Sequence, residues 1–211
     1  MVCMETLVAE KIPIASQTMF MTEEEFLEFC DEDTRAEYID GEVIVHSPAS
    51  NKHVRIIMFL GSLIQFYVDE KKLGTVWGDN FQVRLRAGLR RVPDMIFISK
   101  DSKIKITKTE IDGAPDLIME IVSPDSVVRD WREKYFEYEQ AGVEEYWIID
   151  PGNERIEIYC LNQQGKYEAQ KAESGVFQSK ILPGFWVKAE WFWQEPLPNV
   201  VTIARELQIK L

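Results

Sequence analysis

Apolar positions change from helical to strand spacing several times along the chain. Between residues 50 and 72 they recur at intervals of three and four, which predicts a long helix with Gly74 as its stop signal. A second helix is predicted from Asp125 or Ser126 to Ala141, where Gly142 ends the pattern. β-prone runs predict four strands, at 74–85 with a bend at Gly78-Asp79-Asn80, at 94–98, at 116–122 and at 143–150.

The order of these elements, α, β, β, β, α, β, predicts an α/β (α+β) fold with a mixed central sheet. An N-terminal helix is expected before this core, because Thr22 and Glu25 have the spacing of a capping box. A β-hairpin should follow that helix, since Asp40-Gly41 is suited to a tight turn between two apolar runs. After the core, antiparallel strands are predicted at 155–161, 167–171 and 176–182, followed by a short final helix.

The length of 211 residues favours one domain with a sizeable core. Residues 1–17 show no clear period and are expected to form a flexible N-terminal arm. The single domain would then span 18–211, with its core at about 50–150 and a C-terminal β appendage at 151–211.

The net charge of −12 repels polyanions and argues against a protein that coats nucleic acid. The charge is uneven, however, because four arginines lie just before Asp94: Arg84, Arg86, Arg90 and Arg91. By itself this cluster indicates a solvated hairpin. Beside Asp94 it becomes a candidate contact for the phosphates of nucleic acid.

Several classes of protein are disfavoured. No apolar run reaches the roughly 18 to 20 residues of a membrane helix, and no signal-peptide pattern is present, so a cytoplasmic protein is expected. Cys3, Cys30 and Cys160 have no spacing typical of disulfide frameworks or zinc sites. A catalytic triad and a nucleotide-binding loop are both disfavoured, because neither motif occurs.

Two carboxylates and one lysine are the candidate chemistry. Asp94 begins one predicted strand, and Glu120 lies within the apolar strand that follows, where a charge is costly unless a cation or hydrogen bond compensates it. Carboxylates on neighbouring strands could hold magnesium, which supports hydrolysis of phosphodiesters. Lys134 is predicted on the flank of a helical stripe formed by Val128, Trp131, Tyr135 and Tyr138. From there its ammonium could reach Glu120 and orient the attacking water or stabilise the transition state.

Simpler interpretations exist for each of these residues. Glu120 could pair with Lys134 without a metal, Asp94 could be a turn residue, and Lys134 could face solvent. Asp116 lies on the same strand face as Glu120 by period two, so it is either a strand-edge residue or a rival ligand. If Glu37, Asp94 and Glu120 are crowded without metal, at least one of them should have a raised pKa. Trp191-Phe192-Trp193 is expected to pack internally or at a subunit interface.

Four groups of residues, spread in order over about 22–182, resemble the Uma-two family of restriction-endonuclease-like proteins. They are Tyr38-Ile39-Asp40-Gly41-Glu42, Arg91-Val92-Pro93-Asp94, Met119-Glu120-Ile121-Val122-Ser123-Pro124, and Lys134 with Tyr138, Gly142-Val143, Glu145-Tyr146-Trp147 and Asp150. The resemblance implies the PD-(D/E)xK nuclease fold, whose αβββαβ core matches the order given above.

The resemblance also implies roles for individual residues. Asp94 and Glu120 would bind Mg²⁺ or Mn²⁺, with the backbone carbonyl of Ile121 as a possible further ligand. The superfamily usually has its lysine two residues after the glutamate, where this chain has Val122, so Lys134 looks like the replacement. Glu37 and His53 match positions that complete the family's site.

The function expected on these grounds is a metal-dependent endonuclease that hydrolyses phosphodiester bonds of nucleic acid, with DNA as the expected substrate. The alternative is a catalytically inactive nuclease-fold module for nucleic-acid or protein interaction. A homodimer is expected, since cutting both strands of a duplex usually needs two sites.

Overall fold

The computed structural model describes residues 19–31, 34–78, 81–123 and 126–210. Within these ranges the α-helices are α1 (Glu23–Phe29), α2 (Asn51–Lys71), α3 (Lys134–Ala141) and α4 (Val200–Glu206). A π-helical turn at Arg129–Glu133 leads directly into α3, and a 3-10 turn covers Ala189–Phe192. The predicted N-terminal arm, 1–17, lies outside the described residues.

The strands, in chain order, are β1 (Met19–Phe20), β2 (Ala36–Ile39), β3 (Glu42–Val45), β4 (Gly74–Gly78), β5 (Gln82–Arg86), β6 (Leu89–Arg91), β7 (Met95–Ser99), β8 (Lys105–Ile106), β9 (Glu110–Asp112), β10 (Leu117–Ile121), β11 (Glu145–Asp150), β12 (Arg155–Leu161), β13 (Tyr167–Ala169), β14 (Val176–Gln178) and β15 (Trp186–Lys188). They form a seven-stranded sheet of order β1-β3-β2-β6-β5-β9-β8, a six-stranded sheet of order β13-β12-β11-β10-β7-β4, and the pair β14-β15.

The six-stranded sheet contains the predicted core. Strands β4, β7 and β10 are antiparallel neighbours, and β11 lies parallel to β10, so the sheet is mixed as predicted. A parallel pair requires a crossover connection, which α3 supplies between β10 and β11. Strands β12 and β13 are antiparallel, as predicted, and they extend this same sheet.

The two faces of β10 pack against different helices. Leu117, Met119 and Ile121 belong to the core cluster formed with α2, whereas Ile118 and Val122 pack with Tyr138 of α3. Side chains alternate between the faces of a strand, so Glu120 falls on the face covered by α3. The alternation thus brings the one charged residue of β10 opposite the helix that begins with Lys134.

The helix and hairpin before the core form as predicted. Thr22 Oγ1 accepts a hydrogen bond from the Glu25 N–H, and the Glu25 side chain accepts one from the Thr22 N–H, which completes the capping box. Asp40 and Gly41 have φ values of 48° and 104°, the left-handed conformations that a tight hairpin turn requires.

Two strand predictions are wrong. The predicted strand 74–85 is two strands, because β4 belongs to the six-stranded sheet and β5 to the seven-stranded one. The turn signal at Gly78-Asp79-Asn80 therefore separates two strands instead of bending one. The predicted strand 176–182 is shorter, since β14 ends at Gln178 and the chain then turns into β15.

The aromatic run near the end of the chain packs internally, as predicted. Trp191 and Phe192 are buried, and both rings lie edge-on to Phe59 of α2. Among the described helices, none combines the length and the apolar character needed to span a membrane.

Candidate active site

Asp94 and Glu120 lie at the same end of two neighbouring strands. Met95 of β7 pairs with Met119 of β10, so Asp94 and Glu120 occupy the next positions on the two strands. Each residue is only 2% exposed. Asp94 Oδ2 accepts a hydrogen bond of 2.7 Å from the N–H of Ile121, which fixes Asp94 against the residue that follows Glu120. The predicted proximity of these two strands is confirmed.

Lys134 reaches Glu120 from the start of α3, as predicted. Its Nζ lies 2.8 Å from Glu120 Oε1, and the ammonium is buried. The Tyr138 hydroxyl, one turn further along α3, donates a second hydrogen bond of 2.8 Å to the same Oε1 atom. Lys134 and Tyr138 together therefore fix the orientation of the Glu120 carboxylate.

The π-helical turn before α3 differs from the predicted regular helix. Val128, predicted as part of the buried stripe, is 65% exposed, whereas Asp130 is buried. Asp130 Oδ1 lies 3.1 Å from Lys134 Nζ, and the Asp130 carbonyl accepts a hydrogen bond from the Tyr146 hydroxyl. π-helical turns often occur at functional sites, and this one adds a carboxylate that the sequence analysis missed. The four-residue spacing of Asp130 and Lys134 was the available signal.

Glu37 joins the same cluster from β2. Its Oε1 atom lies 3.6 Å from Lys134 Nζ, and its Oε2 atom accepts a hydrogen bond of 2.8 Å from Arg91. Arg91 is fully buried and also binds Glu137 through two nitrogens, at 2.7 and 2.8 Å. Glu37 therefore lies near the acid pair and the lysine, as predicted.

Each arginine of the cluster pairs with carboxylates of the protein itself. Arg90 is buried between Glu23 and Glu110, and Arg91 is enclosed as described above. Both guanidinium groups are buried in this structure, and the predicted contact of Arg90 and Arg91 with phosphate stays a prediction. Arg84 and Arg86 are partly exposed and pair with carboxylates of their own, and their predicted contact with nucleic acid stays a prediction.

Two side-chain nitrogen atoms contact Asp94 Oδ1. His53 Nε2 lies 3.2 Å away, which places this residue in the site as predicted. Arg35 Nη2 lies 2.9 Å away and was missed, because a lone arginine between two short elements carries no pattern. A second missed residue is His46, whose Nε2 atom lies 3.7 Å from Glu37 Oε1.

Asp116, the rival ligand, has a structural role instead. Its two oxygens accept hydrogen bonds from the N–H and the hydroxyl of Ser99, at 2.8 and 3.2 Å. These bonds join the end of β7 to the start of β10. Asp116 therefore belongs to the opposite end of this strand pair from Asp94 and Glu120.

The crowded carboxylates differ in their pKa values. Burial raises the pKa of Glu120 to about 8; the Lys134 charge opposes this shift, and the nearby Asp130, Asp94 and Glu37 add to it. Burial acts in the same direction on Asp94, but hydrogen bonds from His53 and Ile121 outweigh it and hold the pKa of Asp94 below its ordinary value. The predicted rise for at least one of the three carboxylates is confirmed at Glu120.

Glu37 and Lys134 remain charged. Although burial opposes ionisation of Glu37, the charges of Lys134 and Arg91 hold its pKa well below the ordinary value. Burial also opposes the charged form of Lys134, but Asp130, Glu120 and Glu37 outweigh it and raise the pKa of the ammonium. Lys134 is therefore a permanent cation in this site and not a proton acceptor.

A sequence profile described as "Uma2: Putative restriction endonuclease" matches residues 23–190. The chain belongs to the Uma2 family. The match covers every residue of the site described above, from Arg35 to Tyr138. No curated protein sequence matches the chain.

A solved structure has the same fold as this Uma2 chain. It is the crystal structure of "a putative nuclease belonging to DUF820" from Anabaena variabilis ATCC 29413. The two superpose with a TM-score of 0.68 at 20% sequence identity, over 82% of this chain and 97% of the other. At this identity the likeness extends to the fold alone.

The donor set of the Uma2 site fits magnesium. Among the described residues no group of three or more His, Cys, Asp or Glu side chains is placed to hold a metal ion. Magnesium, however, usually takes one or two carboxylates and keeps several waters. Asp94 and Glu120, at the same end of β7 and β10, provide two carboxylates, a number in that range. Burial and the neighbouring carboxylates raise the pKa of Glu120 despite the Lys134 ammonium, and a bound divalent cation would favour its charged form.

The pKa of Glu120 predicts a pH dependence of stability in the metal-free protein. Its folded pKa of about 8 exceeds the ordinary value of 4.5, so the folded state binds the extra proton between these values. The contribution to stability is thus complete at low pH and is lost as the pH rises through about 8. Relative to Glu120→Gln, the parent should lose up to about 1.4 kcal/mol of unfolding free energy per pH unit between about pH 6 and 8.

Urea unfolding of both proteins in the presence of a chelator measures this difference. Titrating groups that do not interact with Glu120 contribute equally to the two proteins, and the subtraction removes their contribution. Parallel stability curves for the parent and Glu120→Gln would show that Glu120 titrates normally.

Proposed function

We propose that this Uma2 protein is a metal-dependent endonuclease that hydrolyses phosphodiester bonds of nucleic acid, with DNA as the expected substrate. The proposal includes the restriction-endonuclease-like fold of the PD-(D/E)xK superfamily. It is supported by the order α2, β4, β7, β10, α3 and β11, and by the acid pair at the shared edge of β7 and β10.

The contact between Lys134 and Glu120 carries the proposal. The nuclease superfamily needs an ammonium beside its acid pair, and in this chain Val122 occupies the usual lysine position. The structure brings the Lys134 Nζ to 2.8 Å from Glu120 Oε1 from a different element. A lysine buried at this depth is costly unless it is paired, and its partners here are Glu120, Asp130 and Glu37.

Asp94, Glu120 and the carbonyl of Ile121 would hold the magnesium ion. A bound magnesium ion would neutralise charge on the phosphoryl oxygens and assist ionisation of the attacking water. The residues of the protein supply orientation and charge. Lys134 and Tyr138 fix the Glu120 carboxylate, and His53 together with the Ile121 N–H fixes that of Asp94.

Lys134 would stabilise negative charge as the phosphodiester reacts. Its raised pKa keeps the ammonium protonated, so it can donate hydrogen bonds or position a water but cannot remove a proton from it. Its neighbours Asp130 and Glu37 would hold the ammonium in place by charge, at 3.1 and 3.6 Å. The proposed roles of Glu37 and His53 are accordingly to position other residues.

A thermal melt with and without magnesium or manganese tests whether the site binds metal. With about 10 mM metal and a Kd of about 1 mM, the melting temperature of the parent should rise by roughly 3–6 °C. Asp94→Asn should lose this shift, because it removes a ligand charge at nearly constant shape. Asp116→Asn is the matched control and should keep it, since Asp116 lies at the other end of the strand pair.

The alternative function, an inactive module for nucleic-acid or protein interaction, makes the opposite prediction. Such a protein would gain no stability from either metal, and Asp94→Asn would behave like Asp116→Asn. The proposed homodimer is tested independently, by sedimentation analysis of the parent.

A further inference from the structure

The turn between β11 and β12 lies at the end of the sheet that carries the acid pair. Ile121 and Ile149 are register partners, and the N–H of Val122 donates a hydrogen bond of 2.8 Å to the Ile149 carbonyl. Asp150 follows Ile149, and its register partner is Arg155 at the start of β12. Arg155 therefore lies two strands from β10, a distance of about 10 Å at the usual spacing of strands.

The π-helical turn before α3 connects the acid site with this outer region. Its Asp130 is buried and contacts Lys134, whereas Arg132 is exposed. The Arg155 guanidinium lies 4.2 Å from the centre of the Trp131 ring, a cation–π contact that joins the turn to β12. A surface depression of about 430 Å³ has Trp131, Arg132 and Arg155 in its wall. The same turn thus contributes one residue to the acid site and arginine to the surface outside it.

Two arginines of the π-helical turn differ from most arginines of this acidic chain. Arg129 and Arg132 have no carboxylate partner among the described residues, and the buried Nε atom of Arg129 has no hydrogen-bond partner there. The chain contains 36 acidic and 24 basic residues, so carboxylates are in excess. The arginines that do pair with carboxylates are Arg35, Arg55, Arg84, Arg86, Arg90, Arg91 and Arg155. The π-helical turn therefore offers positive charge that the described part of the chain does not neutralise.

Lys52 places a third such cation at this end of the sheet. Its Nζ donates a hydrogen bond of 2.9 Å to the carbonyl of Pro151, in the turn between β11 and β12. Lys52 is exposed and has no carboxylate partner within the described ranges. Its neighbour His53 contacts Asp94, so Lys52 begins α2 close to the acid pair.

Most acidic residues near these cations have partners within the protein. Asp150 accepts three hydrogen bonds inside its own turn. Glu157 pairs with Arg155, whose side chain nevertheless stays 57% exposed. Glu133 and Glu154 are exposed and oppose an anion, but the three cations without carboxylate partners outnumber them. The local charge therefore favours an anionic partner.

We propose that Lys52, Arg132 and Arg155 bind the phosphate backbone of nucleic acid beside the acid pair, with Arg129 adding positive charge. These four residues form what we call the π-turn surface. The inference rests on the proposed function and adds the surface that holds the substrate. The distance of about 10 Å between Arg155 and β10 corresponds to about three nucleotides of one strand, so both lie within one turn of a duplex. Phosphate contacts of this kind fix the position of a nucleic acid without reading its sequence.

Fluorescence anisotropy of a labelled 16-base-pair duplex tests the inference. The duplex is titrated with the parent in calcium, which occupies oxygen-ligand sites, at about 50 to 200 mM salt. Arg132→Gln and Arg155→Gln should each weaken binding by about three- to tenfold. Each should also reduce the slope of log K against log salt by about 0.9, the value for one phosphate contact.

Two variants serve as controls. Arg205→Gln removes an exposed arginine that also has no carboxylate partner among the described residues. It lies on α4, which packs with α2 on the opposite face of the sheet, so affinity and slope should stay at the parental values. Arg132→Lys should keep the salt slope, because the charge remains. Melting temperatures establish that each variant is folded.

Polyglutamate tests whether the partner is nucleic acid or an acidic protein. Its charges are more widely spaced than the phosphates of a duplex, so it should displace the labelled DNA at least about tenfold less well than unlabelled DNA. Equal displacement at equal charge would overturn the assignment to nucleic acid.

The inference is also overturned if the parent does not bind the duplex at up to about 100 μM, or if Arg132→Gln and Arg155→Gln keep the parental slope. These failures are distinct from failure of the proposed function. A parent that cleaves DNA and gains stability from magnesium, but binds DNA equally well without these arginines, would retain the function and refute this inference alone. A parent that binds DNA through them without cleaving it would retain the π-turn surface and refute the nuclease.

Discussion

Lys134→Met should lower the unfolding free energy of the metal-free protein by about 3–5 kcal/mol. The substitution removes the ammonium that lies 2.8 Å from Glu120, 3.1 Å from Asp130 and 3.6 Å from Glu37. The buried Glu37 carboxylate, whose low pKa depends on this ammonium and on Arg91, would then lose one of its cationic partners, and an unpaired buried charge is far more costly than a missing surface pair. Urea unfolding at neutral pH measures the effect.

Lys71→Met is the matched control for this experiment. Lys71 lies on the exposed part of α2, at 4.0 Å from Glu70, and its loss should cost less than about 1 kcal/mol. The double variant Lys134→Met/Glu120→Gln should be about as stable as Lys134→Met at neutral pH, because Glu120, with a pKa of about 8, is already mostly protonated. If Lys134→Met proved as stable as Lys71→Met, the result would contradict the prediction that Lys134 is a buried cation that stabilises its carboxylate partners.

Glu120→Gln should reduce metal-dependent cleavage of DNA by about 10²–10³-fold. The amide keeps the size of the carboxylate and an oxygen that can accept from Lys134 and Tyr138, but it removes the ligand charge. Because Glu120 already has a pKa of about 8, the neutral amide should leave stability at neutral pH close to that of the parent. This variant should thus lose cleavage activity while it keeps its stability.

Conversion of supercoiled DNA to nicked and linear forms in manganese measures the cleavage. Glu144→Gln, at an exposed glutamate before β11, is purified in parallel and should cut at the parental rate. Equal cleavage by Glu120→Gln and the parent would assign the activity to another site or to a contaminant.

Local patterns were sufficient to predict the core of the fold. The spacing of Ile56, Leu60 and Leu63 identified α2, and the uninterrupted apolar runs of β10 and β11 identified strands buried on both faces. The cost of placing Glu120 in such a run indicated a compensating cation. Lys134 supplies it, and this part of the site was predictable from single-residue energetics.

Local sequence patterns could not predict which distant strands pair with each other. Strand β5 continues the β-prone run of β4, but its partners are β6 and β9 in another sheet. Only those distant partners determine where one strand ends and the next begins. The same limit explains why the burial of Arg91 was not predicted, because its partners Glu37 and Glu137 lie far from it in sequence.

A change of helical type caused the remaining differences at the site. A regular period of 3.6 residues would bury Val128, whereas the π-helical turn at Arg129–Glu133 exposes Val128 and buries Asp130. Nothing in the residue types of this turn distinguishes it from an α-helix. Arg35 and His46 could not be predicted from the sequence either, because they enter the site from short segments on either side of the β2–β3 hairpin.

A crystal soaked in manganese, with anomalous scattering recorded at the manganese edge, tests the central claim most directly. We expect one manganese ion within about 2.0–2.3 Å of an oxygen of Asp94 and of Glu120, with Lys134 still beside Glu120. The account would be contradicted by crystals without manganese at this edge of β7 and β10, in which Asp94 keeps both Arg35 and His53 as its partners.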